Sequence, residues 1–365
     1  MSISRFFAVF VIVAAFVSGY SQVPTKPDED DVIRVDSRLI VIPVSVTDAK
    51  GNAILGLKAS DFVLTENGRK QAIESVGTAA DVPLEIALLF DISATTSPMF
   101  RFQLETAAKF LRDVMRPQDN AAIFSIGSKP VLVSARANAD EAVAALGKIE
   151  ATKEYTAFYD TVAAAAKYLR ENAAEGSRRV ILVISDGEDT NSEQVRKAIQ
   201  TGYRKAGEKI NTLDSKSLYQ MTVKLRDDAS RAERQRVGRL LQDADAVFYS
   251  INPGGSSFHL NSISVFGQEN MQIFADATGG TAFLPRFSPI DTKDDYLNNA
   301  NRRKNSEVLD RIFTQLANEL RSQYLIQYYT DADGPADRFV PIAVSVAGRS
   351  DARVRSRKGF YLRGQ

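Results

Sequence analysis

The chain has no cysteine and a single histidine in 365 residues. Without cysteine there are no disulfides, no thiolate metal ligands and no lipid anchor on a thiol. Stability must then come from packed cores and from any metal that oxygen ligands can hold. An excess of charge of one sign is also lacking, with 46 basic and 45 acidic residues. A net charge of +1 leaves no long-range field to select nucleic acid or an anionic membrane, so no nucleic-acid partner is expected and recognition must rest on local chemistry. Long apolar runs are nearly absent. The stretch from Phe6 to Val17, preceded by Arg5, is too short to span a bilayer comfortably, and Gly19 and Ser21 stand ahead of Gln22 as a peptidase site would require. Residues 1–21 therefore read as a signal peptide. The mature chain is expected to carry no transmembrane segment and to be secreted, or held in the periplasm or cell envelope.

What is present is ordinary globular composition, 44% hydrophobic and 25% charged, enough for two cores of unequal size. Residues 22–33, containing VPTKPDEDDVI, are rich in proline and acid and are expected to form a disordered leader. From Leu39 to Val46 the residues Ile40, Ile42, Val44 and Val46 fall on one face of an extended chain, and a second alternating run, Phe62 to Thr65, leads into Asn67-Gly68. Asn-Gly adopts the positive φ values of a tight hairpin, which predicts a returning strand over Gln71 to Val76. The texture then changes. Leu84 to Phe90 is an almost unbroken apolar run, as are Ala121 to Ile126, Val180 to Ile184 and Ala246 to Ile251, each the pattern of a strand covered on both faces.

Between these runs lie helical patterns at Phe102 to Met115, Ala139 to Ile149, Ala157 to Leu169 and Ser192 to Ala206, and a last one at Val308 to Leu320. Alternating strand and helix predict a doubly wound, mostly parallel α/β sheet over residues 81–321. After it, alternation returns with Tyr324, Ile326 and Tyr328, then Ile342, Val344 and Val346, then Val354 to Tyr361. The two flanking β segments, 34–80 and 322–365, are each too small to bury an apolar face alone. They are expected to pack together as a small β-sandwich into which the α/β part is inserted.

In doubly wound sheets ligands bind beyond the carboxyl ends of the strands. There the sequence concentrates oxygen. Asp91-Ile92-Ser93-Ala94-Thr95 follows the first buried strand, Ser185-Asp186-Gly187 follows another, and Thr156 lies in the loop before a helix. Asp91, Ser93, Thr95, Thr156 and Asp186 make an all-oxygen set suited to a hard cation, Mg²⁺ foremost and Mn²⁺ or Ca²⁺ after it. With few carboxylates among the ligands, such an ion stays short of negative charge and would accept a carboxylate from outside. Taken singly, each piece is also what a helix cap or turn looks like.

Together the residues resemble the metal-ion-dependent adhesion site of von Willebrand factor A domains, D-x-S-x-S followed by a Thr and an Asp-Gly loop, with Thr95 in place of the last serine. The segments VSVTDAKGNAILGLKASDFVLTENGRKQAI, TAFYDTV, VILVISDGEDT, SQYLIQYY and RSRKGFYL extend the resemblance over nearly the whole mature chain, to the acidobacterial VWFA-related family. The resemblance implies a von Willebrand factor A, Rossmann-like fold and a protein ligand that offers Asp or Glu. Two departures stand out. Glu154 and Tyr155 precede Thr156 where relatives have glycine, and the charged stretch 203–237 is longer than the usual link to the next strand. Its continuation through Val237, Leu240, Leu241 and Ala244 predicts a helix with one apolar stripe, read as an added surface helix with a solvated basic face carrying Arg231, Arg234 and Arg236.

Machinery for catalysis is not evident. His259 sits in a Gly-Ser-rich loop without a nucleophile motif, and no phosphate-binding glycine string or nucleophile elbow occurs. The strand followed by Asp91 resembles aspartyl-phosphate phosphatases, but Ser93 stands where their second Asp supplies the acid. The expectation is a binding protein and not an enzyme, with a metal-indifferent structural or assembly subunit of the envelope as the rival. Oligomeric state and ligand identity are not legible.

Overall fold

The computed structural model describes residues 38–80, 82–93, 98–252, 262–290 and 292–362. The signal peptide and leader, Thr95 and His259 lie outside them.

Eight consecutive buried residues, Leu84–Asp91, form the central strand β5, flanked by β6 (Asn120–Ile126) and β8 (Arg178–Ile184). With β7 (Pro130–Ala137), β9 (Ala246–Ile251) and β10 (Ala282–Phe283) they make one six-stranded sheet in the order β10-β9-β8-β5-β6-β7. All neighbours are parallel except β7, which returns antiparallel to β6 at the edge. Both faces are covered. Leu84, Ile86, Leu88 and Phe90 face a core shared with α1 (Pro98–Val114), α2 (Ala139–Leu146) and α7 (Asp295–Ser322). Ala87 and Leu89 face a second core shared with α3 (Phe158–Asn172), α5 (Ser215–Asp243) and α6 (Ser262–Thr278). That two-sided burial is why these strands read as unbroken apolar runs while the flanking ones alternate.

The flanking segments form two four-stranded sheets. One has the order β13-β1-β11-β4, from Arg353–Ser356, Arg38–Thr47, Tyr324–Thr330 and Ser75–Thr78; the other has the order β14-β12-β2-β3, from Gly359–Tyr361, Phe339–Val346, Phe62–Glu66 and Arg69–Gln71. Ile40, Ile42, Val44 and Val46 of β1 pack with Phe62, Leu64, Tyr324, Ile326, Tyr328 and Ile342 in one core, so the N- and C-terminal parts complete each other. The strand after the Asn67-Gly68 turn (φ 49° and 76°) differs from the expected Gln71 to Val76. It ends at Gln71, and the chain crosses to the other sheet before pairing again at Ser75. The expected strand Val354 to Tyr361 divides in the same way at Arg357 and Lys358. In both places the alternating pattern persists through a change of sheet, so periodicity alone does not reveal the break.

The charged stretch also departs from expectation. It forms a hairpin of α4 (Glu193–Ala206) with the 29-residue α5, where Leu225 packs into the space that a side chain at Gly202 would fill. The second half of α5 is no surface addition: Ala229, Val237 and Leu241 are buried in the core beneath the sheet. Its arginines are largely paired within the fold, Arg234 with Glu269 and Arg236 with Glu233, and Arg231 and Arg234 lie over the Phe266 ring.

Candidate metal centre

From β5 the chain goes first to β6 on one side and only later to β8 on the other, so the topological switch point lies between the carboxyl ends of β5 and β8. Asp91 ends β5 and is buried. Its Oδ1 accepts hydrogen bonds from the Ser93 amide at 2.9 Å and the Ser93 hydroxyl at 2.6 Å. Its Oδ2 accepts from the Ser185 hydroxyl at 2.6 Å. Both hydroxyl protons thus point at the carboxylate; the buried Ser185 oxygen accepts in turn from the Gly187 amide at 3.0 Å, which leaves the lone pairs of Ser93 for an outside group. Ser185 was not among the expected ligands. Its signal, a serine directly before Asp-Gly at the end of a buried strand, was in the sequence, but its bond to Asp91 spans 94 positions.

Asp186 follows Ser185 into a loop whose shape depends on glycine. Gly187 has φ 78°, and a Cβ there would lie 2.4 Å from the Gly267 carbonyl oxygen of α6. The Glu188 amide donates to Asp186 Oδ1 at 3.0 Å. Loss of water raises the Asp91 carboxyl, offset by the serine bonds and reinforced by the charge of Glu188. Asp186 is pushed up to about 6, first by loss of water and then by the negative charge of Asp91; the residue as a whole is exposed, so the crowding by Asp91 is the firmer of the two causes. The charges acting between these groups, those of Asp91, Asp186 and Glu188, are all negative.

Thr156 is buried and its backbone is fixed: the Thr190 and Asn191 amides both donate to its carbonyl at 2.9 Å, and its own amide donates to the Thr190 hydroxyl at 2.9 Å. The loop before it is tied to the ends of β5 and β6. Thr152 N donates to Ile92 O at 2.7 Å, Ala157 N to Gly127 O at 2.7 Å, and the Ser128 hydroxyl to Glu154 Oε2 at 2.6 Å. Glu154, one departure from the family pattern, therefore acts as a clamp on the loop, and Tyr155 beside it is 70% exposed. Asp189, three residues after Asp186, serves the scaffold: it accepts from the Tyr159 and Ser192 amides and from the Ser192 hydroxyl, joining the starts of α3 and α4.

Of the five expected ligands, Asp91 stands at the carboxyl end of β5 and Ser93, Thr156 and Asp186 in loops at that edge of the sheet, while Thr95 lies outside the described residues. Among the described residues no three Asp, Glu or His side chains form a metal-type cluster. The chemistry on offer is two carboxylates and several hydroxyls, with unbalanced negative charge. That set fits a hard divalent cation, which would relieve the repulsion.

No protein-family model and no curated protein matches the chain. Solved structures that resemble it include an aerotolerance-related membrane protein from Bacteroides fragilis NCTC 9343 (12% identity, 61% of this chain and 99% of that one, TM-score 0.33). Proximal thread matrix protein 1 from the mussel byssus, with a zinc-occupied MIDAS motif, is 11% identical over 69% of this chain and 49% of its own, at TM-score 0.38. The SpRpn10 VWA domain is 11% identical over 56% of this chain and 87% of its own, at TM-score 0.36. Likeness at that level carries no weight beside the topology. The strand order, the antiparallel edge strand and the helices on both faces make the central part a doubly wound, von Willebrand factor A-like α/β fold set in a β-sandwich.

Proposed function

We propose that the protein is a secreted, metal-dependent binding module of the acidobacterial VWFA-related family, without enzymatic activity, that captures an acidic residue of a protein ligand. Asp91, Ser93 and Thr95 would hold Mg²⁺, with Thr156 and Asp186 acting directly or through water. The bound ion would supply an electron-poor coordination position for an outside carboxylate. What supports this reading is the gathering of Asp91, Ser93 and Asp186 at the switch point, where the two carboxylates follow adjacent strands and repel each other. The chain's own residues do the positioning. Ser93 and Ser185 orient the Asp91 carboxylate, the backbone bonds at Thr156 fix the second loop, and Gly187 lets the third loop lie close to α6.

The rival is a metal-indifferent envelope subunit in which these groups only tie loops together, and the internal bonds of Asp91 favour it. Calorimetric titration with Mg²⁺ separates the two. Heat and a thermal upshift in the wild type, absent in Asp91→Ala and weakened in Thr156→Val, support the binding module. No heat or upshift in any of the three, with Asp186→Ala lowering stability but leaving partner capture intact, supports the rival. A pull-down from the native envelope with and without chelator then identifies the ligand.

A further inference from the structure

At the opposite end of the sheet, where β8 and β9 begin, a cavity of about 470 Å³ opens between the α/β part and the sandwich strand β1. Four arginines line it, Arg38, Arg178, Arg179 and Arg357, against one carboxylate among the described residues, Asp245. Arg357 pairs with that carboxylate at 2.7 Å. Arg178 is buried and donates to neutral acceptors, Leu320 O and Gln323 Oε1; Arg179 donates to Ala244 O at 3.0 Å. Carbonyl oxygens satisfy donors but do not cancel charge. The Nε groups of Arg178, Arg179 and Arg357 are buried with no hydrogen-bond partner among the described residues. Burial and the neighbouring Arg321 bring Arg178 down to about 10 against the negative charge of Asp119, which Arg321 itself pairs with, so Arg178 remains charged at neutral pH. The facing wall is apolar and includes Leu39 and Val41, both more than 40% exposed although they lie on a strand whose other face is core.

Buried charge in excess of its counter-charge is costly unless a ligand supplies the balance. Guanidinium groups match the planar oxygens of carboxylates and phosphates. A volume of this size falls in the range of sites for small organic ligands. We infer that this cavity binds a small amphipathic anion, a carboxylate or phosphate head held by the arginines with a short aliphatic body against Leu39 and Val41. The site is independent of the cation site.

The test is calorimetric titration of the full chain with hexanoate and with hexyl phosphate, using hexanol and inorganic phosphate as controls lacking one half of the ligand. Saturable binding of one equivalent of either amphipathic anion is expected, with hexanol and inorganic phosphate each weaker by about tenfold or more, the value of one charge-assisted hydrogen bond or a few buried methylenes. The tighter of the two anions identifies the head group. Arg179→Gln should weaken binding by about tenfold, and Leu39→Glu, at an exposed position, should abolish it. Neither variant should lower the unfolding midpoint, since both reduce the excess positive charge, and chelator should change nothing. Absence of saturable binding by both anions, equal affinity for hexanol, or wild-type affinity in both variants would overturn the inference.

Discussion

Ser185 donates its hydroxyl hydrogen to Asp91 Oδ2 across 2.6 Å and so ties the carboxyl end of β8 to that of β5. Both residues are buried, and the bond is made to a charged acceptor. Ser185→Ala should therefore lower unfolding stability by about 1.5–3 kcal/mol in chelator, the range for hydrogen bonds to charged groups. Urea unfolding followed by circular dichroism measures it. A loss under about 0.5 kcal/mol would mean that the pairing contributes nothing to the fold.

The loop that carries Asp186 depends on Gly187 in two ways, through its φ of 78° and through the 2.4 Å that would separate a Cβ from Gly267 O. Gly348 has a similar φ of 70° with nothing within 4 Å. Comparing the two separates backbone strain from collision. Gly348→Ala should cost about 1–2 kcal/mol, the penalty for a left-handed side-chain-bearing residue. Gly187→Ala should cost on the order of 3 kcal/mol, because backbone atoms must also move apart. It should also weaken any Mg²⁺ response, since Asp186 moves with the loop. Equal costs for the two variants would show that α6 yields freely.

Tyr155 is 70% exposed, next to the buried Thr156 and to Glu154, whose carboxylate is bonded to Ser128. A rigid aromatic side chain on a clamped loop beside the proposed ion is placed to contact a bound partner. Tyr155→Ala should leave stability within about 0.5 kcal/mol and leave the Mg²⁺ response unchanged. Partner capture should weaken by about tenfold. Unchanged capture would assign recognition to other residues of the rim.

The sequence carried the four inner strands of the central sheet clearly because each is covered on both faces, and the run Leu84 to Phe90 has few other uses; the edge strand β7, half-buried to exposed over most of its length, gives no such run. It carried Asp91, Ser93 and Asp186 for the same reason: they stand where such strands stop. The passage of the chain between sandwich sheets near Ile73 and Arg357 was not legible, since the side-chain alternation that marks a strand is blind to which neighbour it pairs with. The burial of Val237 and Leu241 was legible as a stripe, but the hairpin that α5 makes with α4 hides how much of the helix belongs to the core. The role of Ser185 and the arginine-lined cavity were invisible because each assembles residues far apart in the chain.

Asp189 gives the fold a pH dependence of definite sign. Burial raises its carboxyl to about 6 against the bonds from Ser192 and Tyr159, with Asp160 adding to the rise, while the unfolded value is near 3.8. Between about pH 4 and pH 6 the native state thus binds a proton that the unfolded chain has already released, so this group's contribution to stability falls as pH rises through that window and is level above it. The size is on the order of 2–3 kcal/mol. Asp186 shifts in the same direction, so the wild-type profile alone does not isolate Asp189. Asp189→Asn keeps one acceptor oxygen and removes the titration. The difference in urea-unfolding stability between wild type and variant, taken in chelator from about pH 4.5 to about pH 7, should shift against the wild type as pH rises. A difference that stays constant across that range would mean that Asp189 is ionised throughout, its charge held by the amides of Tyr159 and Ser192 more strongly than burial opposes it.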